Sequence, residues 1–119
     1  MKHILRELKK TGAKIIFAVT TPVCDEKSNL SGPIPPAHKN EDIKRYNKAV
    51  LEAFENEDII INDLFSIMYS EKEKYLSDDM IHPNEHGVKL LGKAVADKIR
   101  NTTAENSFIY TKLDEKIIQ

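Results

Sequence analysis

The sequence predicts an α/β fold in which helices alternate with the strands of a parallel sheet. Residues 15–19 are an unbroken apolar run of the kind found in strands that are buried on both faces, and residues 58–61, an aspartate followed by three isoleucines, are interpreted as a second strand of this type. Apolar spacing before, between and after these runs predicts the order helix–strand–helix–strand–helix, which implies βαβ units with right-handed crossovers. A doubly wound sheet of this kind gathers its active residues on loops at the carboxyl ends of its strands.

The first two predicted helices lie on either side of the first strand in the chain. Residues 2–11 have apolar side chains at helical spacing, and Gly12 stands where that helix would end. Residues 41–54 show the same periodicity after a long loop. The apolar residues that mark these two helices are Ile4, Leu5, Leu8, Ile43, Tyr46, Val50 and Phe54.

Two further helices are predicted after the second strand. A short one begins with Asn62 or Asp63 as its cap and contains Leu64, Phe65, Ile67 and Met68. A final helix follows residues 79–84, and Val88, Leu91, Val95 and Ile99 mark one of its faces. The pattern of residues 102–119 does not decide between strand and helix, so we treat them as a separate C-terminal tail.

A long loop is predicted for residues 20–40. This stretch contains Pro22, Gly32, Pro33, Pro35 and Pro36. Loops of that length in compact domains are usually functional or disordered. We expect this one to be a solvated connection, and we expect His3 and His38 to be ordinary surface histidines.

Composition limits the class of protein. The chain of 119 residues has room for one domain, with 40% apolar and 31% charged residues and a net charge of −1. Charges of both signs are interspersed, which argues against a nucleic-acid or acidic-membrane partner. No apolar run is long enough to span a membrane. Cys24 is the single cysteine, so an internal disulfide is excluded. The sequence does not decide the cellular compartment, since one cysteine gives no information on it and a truncated start would remove a signal peptide.

The most informative segment is Asp79-Met80-Ile81-His82-Pro83-Asn84. It places a carboxylate three residues before an imidazole, on a loop that Pro83 stiffens. On a tight turn Asp79 can accept a hydrogen bond from Nδ1–H of His82, which leaves Nε2 free as a proton acceptor. Asp78 is a rival partner with a less favourable spacing. The segment therefore predicts two members of a hydrolytic triad, with Asp79 and His82 as the catalytic candidates.

This block, followed by a helix containing Gly87, resembles the last conserved block of the SGNH (GDSL-type) hydrolases. Residues 12–22 are similar to a later core strand of those enzymes and the turn that leaves it. The resemblance covers residues 1–101 and implies the C-terminal portion of a three-layer α/β/α, flavodoxin-like domain. It also implies a serine esterase that uses no cofactor and acts on a small-molecule ester.

The chain departs from that family where the nucleophile should be. It contains no Gly-Asp-Ser, and none of its serines (Ser28, Ser31, Ser66, Ser70, Ser77, Ser107) has that preceding context. The family's oxyanion-hole Gly and Asn are missing as well. We therefore expect residues 1–119 alone to be inactive. Since two strands make a poor sheet, we expect the open edge to be met by a missing N-terminal half, a second copy, or the C-terminal tail.

Other interpretations stay open. Asp79 could simply cap the final helix, and Gly87 could mark close helix packing.

His82-Pro83-Asn84-Glu85-His86 also spells the H-x-x-E-H zinc signature, for which Glu105 or Glu115 would have to supply a third ligand. Pro83 argues against it, because it leaves His82 at the helix cap or outside the helix. Finally, the chain could be a non-catalytic, truncated hydrolase fold that acts as an interaction module or is a fragment.

Overall fold

The computed structural model describes the backbone of residues 1–28 and 39–118, and side chains as far as residue 103. The described chain is mixed α/β, with one two-stranded parallel sheet and six helices. In chain order the elements are α1 (Lys2–Lys9), β1 (Ile16–Ala18), α2 (Asp25–Ser28), α3 (Asn40–Ala53), β2 (Ile60–Asn62), α4 (Leu64–Tyr69), α5 (Lys72–Tyr75) and α6 (Glu85–Ile118).

The sheet has the predicted strands in the predicted parallel arrangement. Ile16 lies opposite Ile60, and Ala18 lies opposite Asn62. The expectation that both strands are buried on both faces is wrong, because most of their residues are only half-buried and Ala18 is exposed. A sheet of two strands offers too little surface for helices to cover it completely on both sides.

The helices agree with the apolar patterns apart from their ends. Gly12 has a φ of +74°, a left-handed conformation that favours glycine, and α1 ends just before it. Of the two candidate caps for α4, Asp63 is the one that acts, since its carboxylate accepts a hydrogen bond from the backbone N–H of Ser66 at 3.1 Å.

The predicted loop of residues 20–40 contains one short helix, α2, which the sequence did not predict. Pro22, Val23 and Cys24 are buried, so the expectation of a solvated connection is wrong for the start of this loop, which packs into the core. The remaining expectations fall on residues 29–38, outside the described part of the chain. They concern Gly32, Pro33, Pro35, Pro36 and the surface position of His38. His3 is exposed, as expected.

Two apolar clusters form the core. The first contains Val19, Val23, Ile43 and Phe65, and Ile81 packs against it. The second contains Cys24, Met68 and Leu76, and Met80 packs against it. Met80 and Ile81 are the two residues between Asp79 and His82. The core therefore anchors this loop from two sides and leaves the polar residues at its ends facing outward.

The final helix, α6, starts at Glu85 and runs through the predicted tail to Ile118. Leu90 and Leu91 pack against the second cluster. The apolar face predicted from the sequence is largely uncovered: Val88, Val95 and Ile99 are 59%, 39% and 51% exposed. In the part of the chain that the structure describes, no helix is both long and apolar enough to cross a membrane.

Candidate active site

The loop that carries Asp79 and His82 is a closed turn. At its base the backbone N–H of Ser77 donates to the carbonyl of His82 at 2.8 Å, and Leu76 and Pro83 form an antiparallel bridge. Within the turn the N–H of Met80 donates to the carbonyl of Ser77 at 2.9 Å. Met80 has a φ of 63°, which is unusual for a residue with a side chain. Main-chain bonds therefore fix the path between the two predicted catalytic residues.

Asp79 and His82 are in contact, as the spacing predicted. Nδ1 of His82 lies 2.6 Å from Oδ2 of Asp79, so Asp79 rather than Asp78 partners the ring. The imidazole side chain is 77% exposed. Among the residues that the structure describes, no group is hydrogen-bonded to its Nε2. The ring is thus held at one nitrogen and open to an incoming molecule at the other.

The carboxylate of Asp79 divides its contacts between its two oxygens. Oδ1 lies 2.9 Å from each of three donors, the hydroxyl of Ser77 and the backbone N–H groups of Ile81 and His82. Oδ2 faces the imidazole. The hydrogen bond from the His82 ring, followed by those from the backbone of His82 and Ile81, holds the pKa of Asp79 well below its usual range. Asp79 is therefore an ionised carboxylate at neutral pH.

The capping interpretation of Asp79 is wrong, because Asn84 occupies that position. The side-chain Oδ1 of Asn84 accepts a hydrogen bond from the backbone N–H of Gly87 at 2.9 Å. Its Nδ2 donates to the carbonyls of Lys74 at 2.8 Å and Leu76 at 3.0 Å. Asn84 thus caps α6 and ties it to the segment that enters the turn. Its residue type and its position just before the helix were available signals that our sequence analysis did not use.

Gly87 marks close packing of α6, as expected. A Cβ atom at this position would overlap the carbonyl oxygen of Tyr75 and would lie 2.9 Å from Cβ of Pro83. The helix therefore approaches the backbone of α5 at a distance that only glycine permits.

The loop after β1 is joined to the loop of Asp79 and His82. The N–H of Cys24 donates to the carbonyl of Met80 at 3.0 Å. Two asparagines of α3 hold this loop in turn: Asn47 bonds both the N–H and the carbonyl of Thr20 at 3.0 Å, and Asn40 does the same with Val23 at 2.9 and 2.6 Å. Neither asparagine is distinguished in the sequence, because an amide that bonds backbone across the fold leaves no local pattern.

An open cavity of about 310 Å³ lies where these loops meet α3. Ile81, next to His82 in the chain, forms part of its wall together with Val23 and Ile43. Thr20, Thr21, Asp42 and the exposed ring of Tyr46 complete the lining. The loop after β1 and the loop of Asp79 and His82 thus meet at the rim of one cavity.

The geometry at His82 does not favour the zinc interpretation. Helix α6 begins at Glu85, so His82 lies outside it while His86 lies in its first turn. The Nδ1 of His82 is already occupied by Asp79. Among the described side chains, no three His, Cys, Asp or Glu residues are grouped to hold a metal ion. The side chains of Glu105 and Glu115, the suggested third ligands, are beyond the described ones.

The arrangement can act as a general base: an exposed imidazole nitrogen, with the other nitrogen fixed by an ionised carboxylate, can take a proton from a hydroxyl or from water. The hydroxyl of Ser77 contacts Asp79 and the carbonyl of His82 rather than the ring, so it is not placed as a nucleophile.

In comparisons with known proteins, neither a family model nor a curated protein matches this chain.

Proposed function

We propose that residues 1–101 are the C-terminal part of an SGNH-type ester hydrolase domain, and that Asp79 and His82 are two members of its catalytic triad. The single observation that carries the proposal is the 2.6 Å contact between Nδ1 of His82 and Oδ2 of Asp79, in an exposed imidazole whose Nε2 is bonded to none of the described residues. This pairing orients the imidazole through Nδ1 and leaves Nε2 able to accept a proton, as the proposed role requires.

In the proposed reaction a serine supplied by a complementary N-terminal segment attacks the acyl carbonyl of an ester. Nε2 of His82 takes the serine proton as the bond to carbon forms, and it returns that proton to the leaving alcohol as the ester bond breaks. Asp79 keeps Nδ1 protonated and stabilises the imidazolium. Water then repeats the sequence on the acyl-serine and releases the acid. Oxyanion donors come from the same complementary segment.

The proposed completed fold is a three-layer α/β/α domain with a longer parallel sheet. Two features support a neighbour beside β1. β1 pairs with β2 along one edge, and Ala18 at its carboxyl end is exposed. On α6, Val88, Val95 and Ile99 form an exposed apolar stripe in a helix whose adjacent residues pack against the body of the protein. In the proposed completed domain, the complementary segment pairs with the free edge of β1 and also covers this stripe.

The cavity beside Ile81 is the proposed site for part of the ester. It has apolar walls at Val23, Ile43 and Ile81, a volume of about 310 Å³, and polar groups at its rim. Pockets of this size and character bind small molecules. The proposed substrate is accordingly a small ester with an apolar portion.

The proposal is tested by joining residues 1–119 to an N-terminal half that carries a Gly-Asp-Ser segment, encoded upstream of the gene or taken from an intact SGNH hydrolase. We expect turnover of p-nitrophenyl acetate and labelling by a fluorophosphonate probe. His82→Ala should abolish turnover, and Asp79→Asn should lower it by about 10⁴-fold, the loss seen when a triad carboxylate becomes an amide.

His86→Ala is the matched control, because His86 lies four residues away in the same segment and is not bonded to Asp79. It should retain activity. A joined protein that folds but neither turns over ester nor reacts with the probe would refute the proposal and favour a non-catalytic module. Loss of activity in His86→Ala together with bound zinc would favour the metal interpretation.

A further inference from the structure

The hydroxyl of Ser77 lies between the two proposed catalytic residues. Its Oγ is 2.9 Å from Oδ1 of Asp79 and 2.9 Å from the backbone carbonyl of His82. The N–H of Ser77 also donates to that carbonyl, at 2.8 Å. Because a hydroxyl has one proton, Oγ donates to one of the two oxygens at a time or shares its proton between them. In both cases Ser77 touches each end of the turn.

These contacts fix the rotation of the Asp79 carboxylate. Oδ1 is directed at three donors from Ser77, Ile81 and His82, each at 2.9 Å. With Oδ1 held there, Oδ2 is left to face Nδ1 of His82. The two backbone donors come from the short turn itself and also hold the loop. Among the described donors to Oδ1 of Asp79, the hydroxyl of Ser77 is the one that a single substitution can remove without changing the backbone.

We propose that Ser77 is a positioning residue of this site, whose hydroxyl orients the Asp79 carboxylate so that His82 carries its proton on Nδ1 and presents an unprotonated Nε2. The inference rests on the proposed hydrolase function for its catalytic meaning. The structural part of the inference is that Ser77 determines the tautomer of His82, and this can be measured on residues 1–119 alone.

The surroundings of Ser77 show that the positioning is complete within this chain. Leu76 is buried in the second core cluster, and Leu76 bridges to Pro83 across the base of the turn. The carbonyl of Ser77 accepts the N–H of Met80, whose own carbonyl accepts the N–H of Cys24. Ser77 is therefore tied to the core on one side and to the loop after β1 on the other. No group from a complementary segment is needed to hold it in place.

The proposal is tested on residues 1–119 labelled with ¹⁵N-histidine, by long-range ¹H–¹⁵N correlation at a pH where the imidazoles are neutral. We expect the wild-type His82 to be predominantly the Nδ1–H tautomer. Ser77→Ala should shift it to a mixture of both tautomers, and Ser77→Thr, which keeps a hydroxyl, should restore it. The midpoint of the Asp79 ¹³Cγ titration should rise in Ser77→Ala and return in Ser77→Thr.

Ser66→Ala is the matched control. The hydroxyl of Ser66 donates to Oδ2 of Asp63 at 2.6 Å, so the change removes a similar Ser–Asp hydrogen bond, in a different segment from His82. It should leave the His82 tautomer unchanged. A purely structural role for Ser77 would lower stability without changing the tautomer. An unchanged His82 tautomer in Ser77→Ala overturns the proposal, as does a failure of Ser77→Thr to restore it.

The same variants separate this inference from the proposed function. In the joined enzyme, Ser77→Ala should lower kcat by about 10-fold and leave KM nearly unchanged, the pattern of an interaction made in the transition state. If the joined wild-type enzyme is inactive while the tautomer responds to Ser77, the hydrolase function fails and the positioning stands. If the tautomer does not respond, the positioning fails whatever the activity.

Discussion

The N–H of Cys24 donates to the carbonyl of Met80 at 3.0 Å, and this bond joins the loop after β1 to the turn that holds Asp79 and His82. Met80 adopts a left-handed backbone conformation, which is unfavourable for a residue with a side chain. Its side chain packs against the cluster that contains Cys24, so burial of apolar surface offsets that conformation. The turn of Asp79 and His82 and the rim of the cavity are thereby joined by a hydrogen bond and by packing.

Replacing Gly87 by alanine should destabilise the protein. Alanine normally favours a helix by about 1 kcal/mol over glycine. Here the new Cβ would overlap the carbonyl oxygen of Tyr75, and backbone atoms cannot move aside cheaply. We expect a net loss of about 1–3 kcal/mol in the free energy of unfolding, measured by urea denaturation.

Gly92→Ala is the control in the same helix. A Cβ at Gly92 would meet nothing within 4 Å, so this variant should gain about 0.5–1 kcal/mol. Equal stabilisation in both variants would contradict the close approach of α6 to α5.

Replacing Asn84 should separate its two roles. Asn84→Ala removes both the cap on Gly87 and the bonds to the carbonyls of Lys74 and Leu76, and it should lose about 2–3 kcal/mol. Asn84→Ser keeps an oxygen that can accept the cap hydrogen bond but has no amide to bond the two carbonyls, so its loss should be smaller. Urea denaturation compares the variants, and an Asn84→Ala protein as stable as the wild type would show that the cap is dispensable.

The sequence predicted α1, α3, α4, α6, both strands and the Asp79–His82 contact, because each depends on residues close together in the chain. It did not predict the short helices α2 and α5. The three-residue spacing and Pro83 limit how that turn can close, so a local pattern was sufficient. Burial was predicted less well: Val88, Val95 and Ile99 have the spacing of a core-facing stripe, yet they are exposed. Periodicity shows that a helix has an apolar face, but the surface that covers it depends on distant parts of the fold.

The supports of the site were harder to predict. Asn40 and Asn47 bond the backbone of Val23 and Thr20, residues 17 and 27 positions away. Such contacts follow from the tertiary arrangement, and an isolated asparagine on a helix has no local signature for them. Ser77 is only two residues from Asp79, but its role depends on how the turn is folded, which residue types alone do not specify.

Acid should weaken the folded state partly through Asp79. The hydrogen bonds that lower its pKa in the folded chain are lost on unfolding, where an Asp titrates near pH 3.9. Asp79 therefore stabilises the folded chain above about pH 4, and this contribution is lost as the pH falls towards the lower, folded-state value. The ¹³Cγ resonance of Asp79 should titrate below pH 3.9.

Asp79→Asn should correspondingly show a shallower fall in the free energy of unfolding below about pH 4 than the wild type. A folded-state midpoint at or above 3.9 for Asp79 would mean that its hydrogen bonds do not favour the ionised form.

The exposed stripe of α6 should make residues 1–119 associate or bind hydrophobic dyes. Val88 and Val95 are two turns apart on one exposed face, so the double change Val88→Lys and Val95→Lys should reduce dye fluorescence and shift the chain towards monomer. Size-exclusion chromatography with light scattering measures the second effect. Leu51→Lys is the control, since Leu51 is an exposed apolar residue on α3 away from the stripe. If the double change reduced association and dye fluorescence less than Leu51→Lys does, the stripe would not be the surface through which the chain associates.

Residues 1–119 by themselves should have almost no esterase activity. A nucleophile must lie within about 2.6–3.2 Å of the base that activates it, and the hydroxyl of Ser77 is instead bonded to Asp79 and the carbonyl of His82. The chain also lacks a Gly-Asp-Ser segment. His82 can still activate water weakly, so slow hydrolysis of p-nitrophenyl acetate that disappears in His82→Ala is compatible with the proposal. A fluorophosphonate probe should label none of the serines, with an intact serine esterase as the positive control. Stoichiometric labelling would overturn this account, because a serine of this chain, identified by mass spectrometry, would then be the nucleophile.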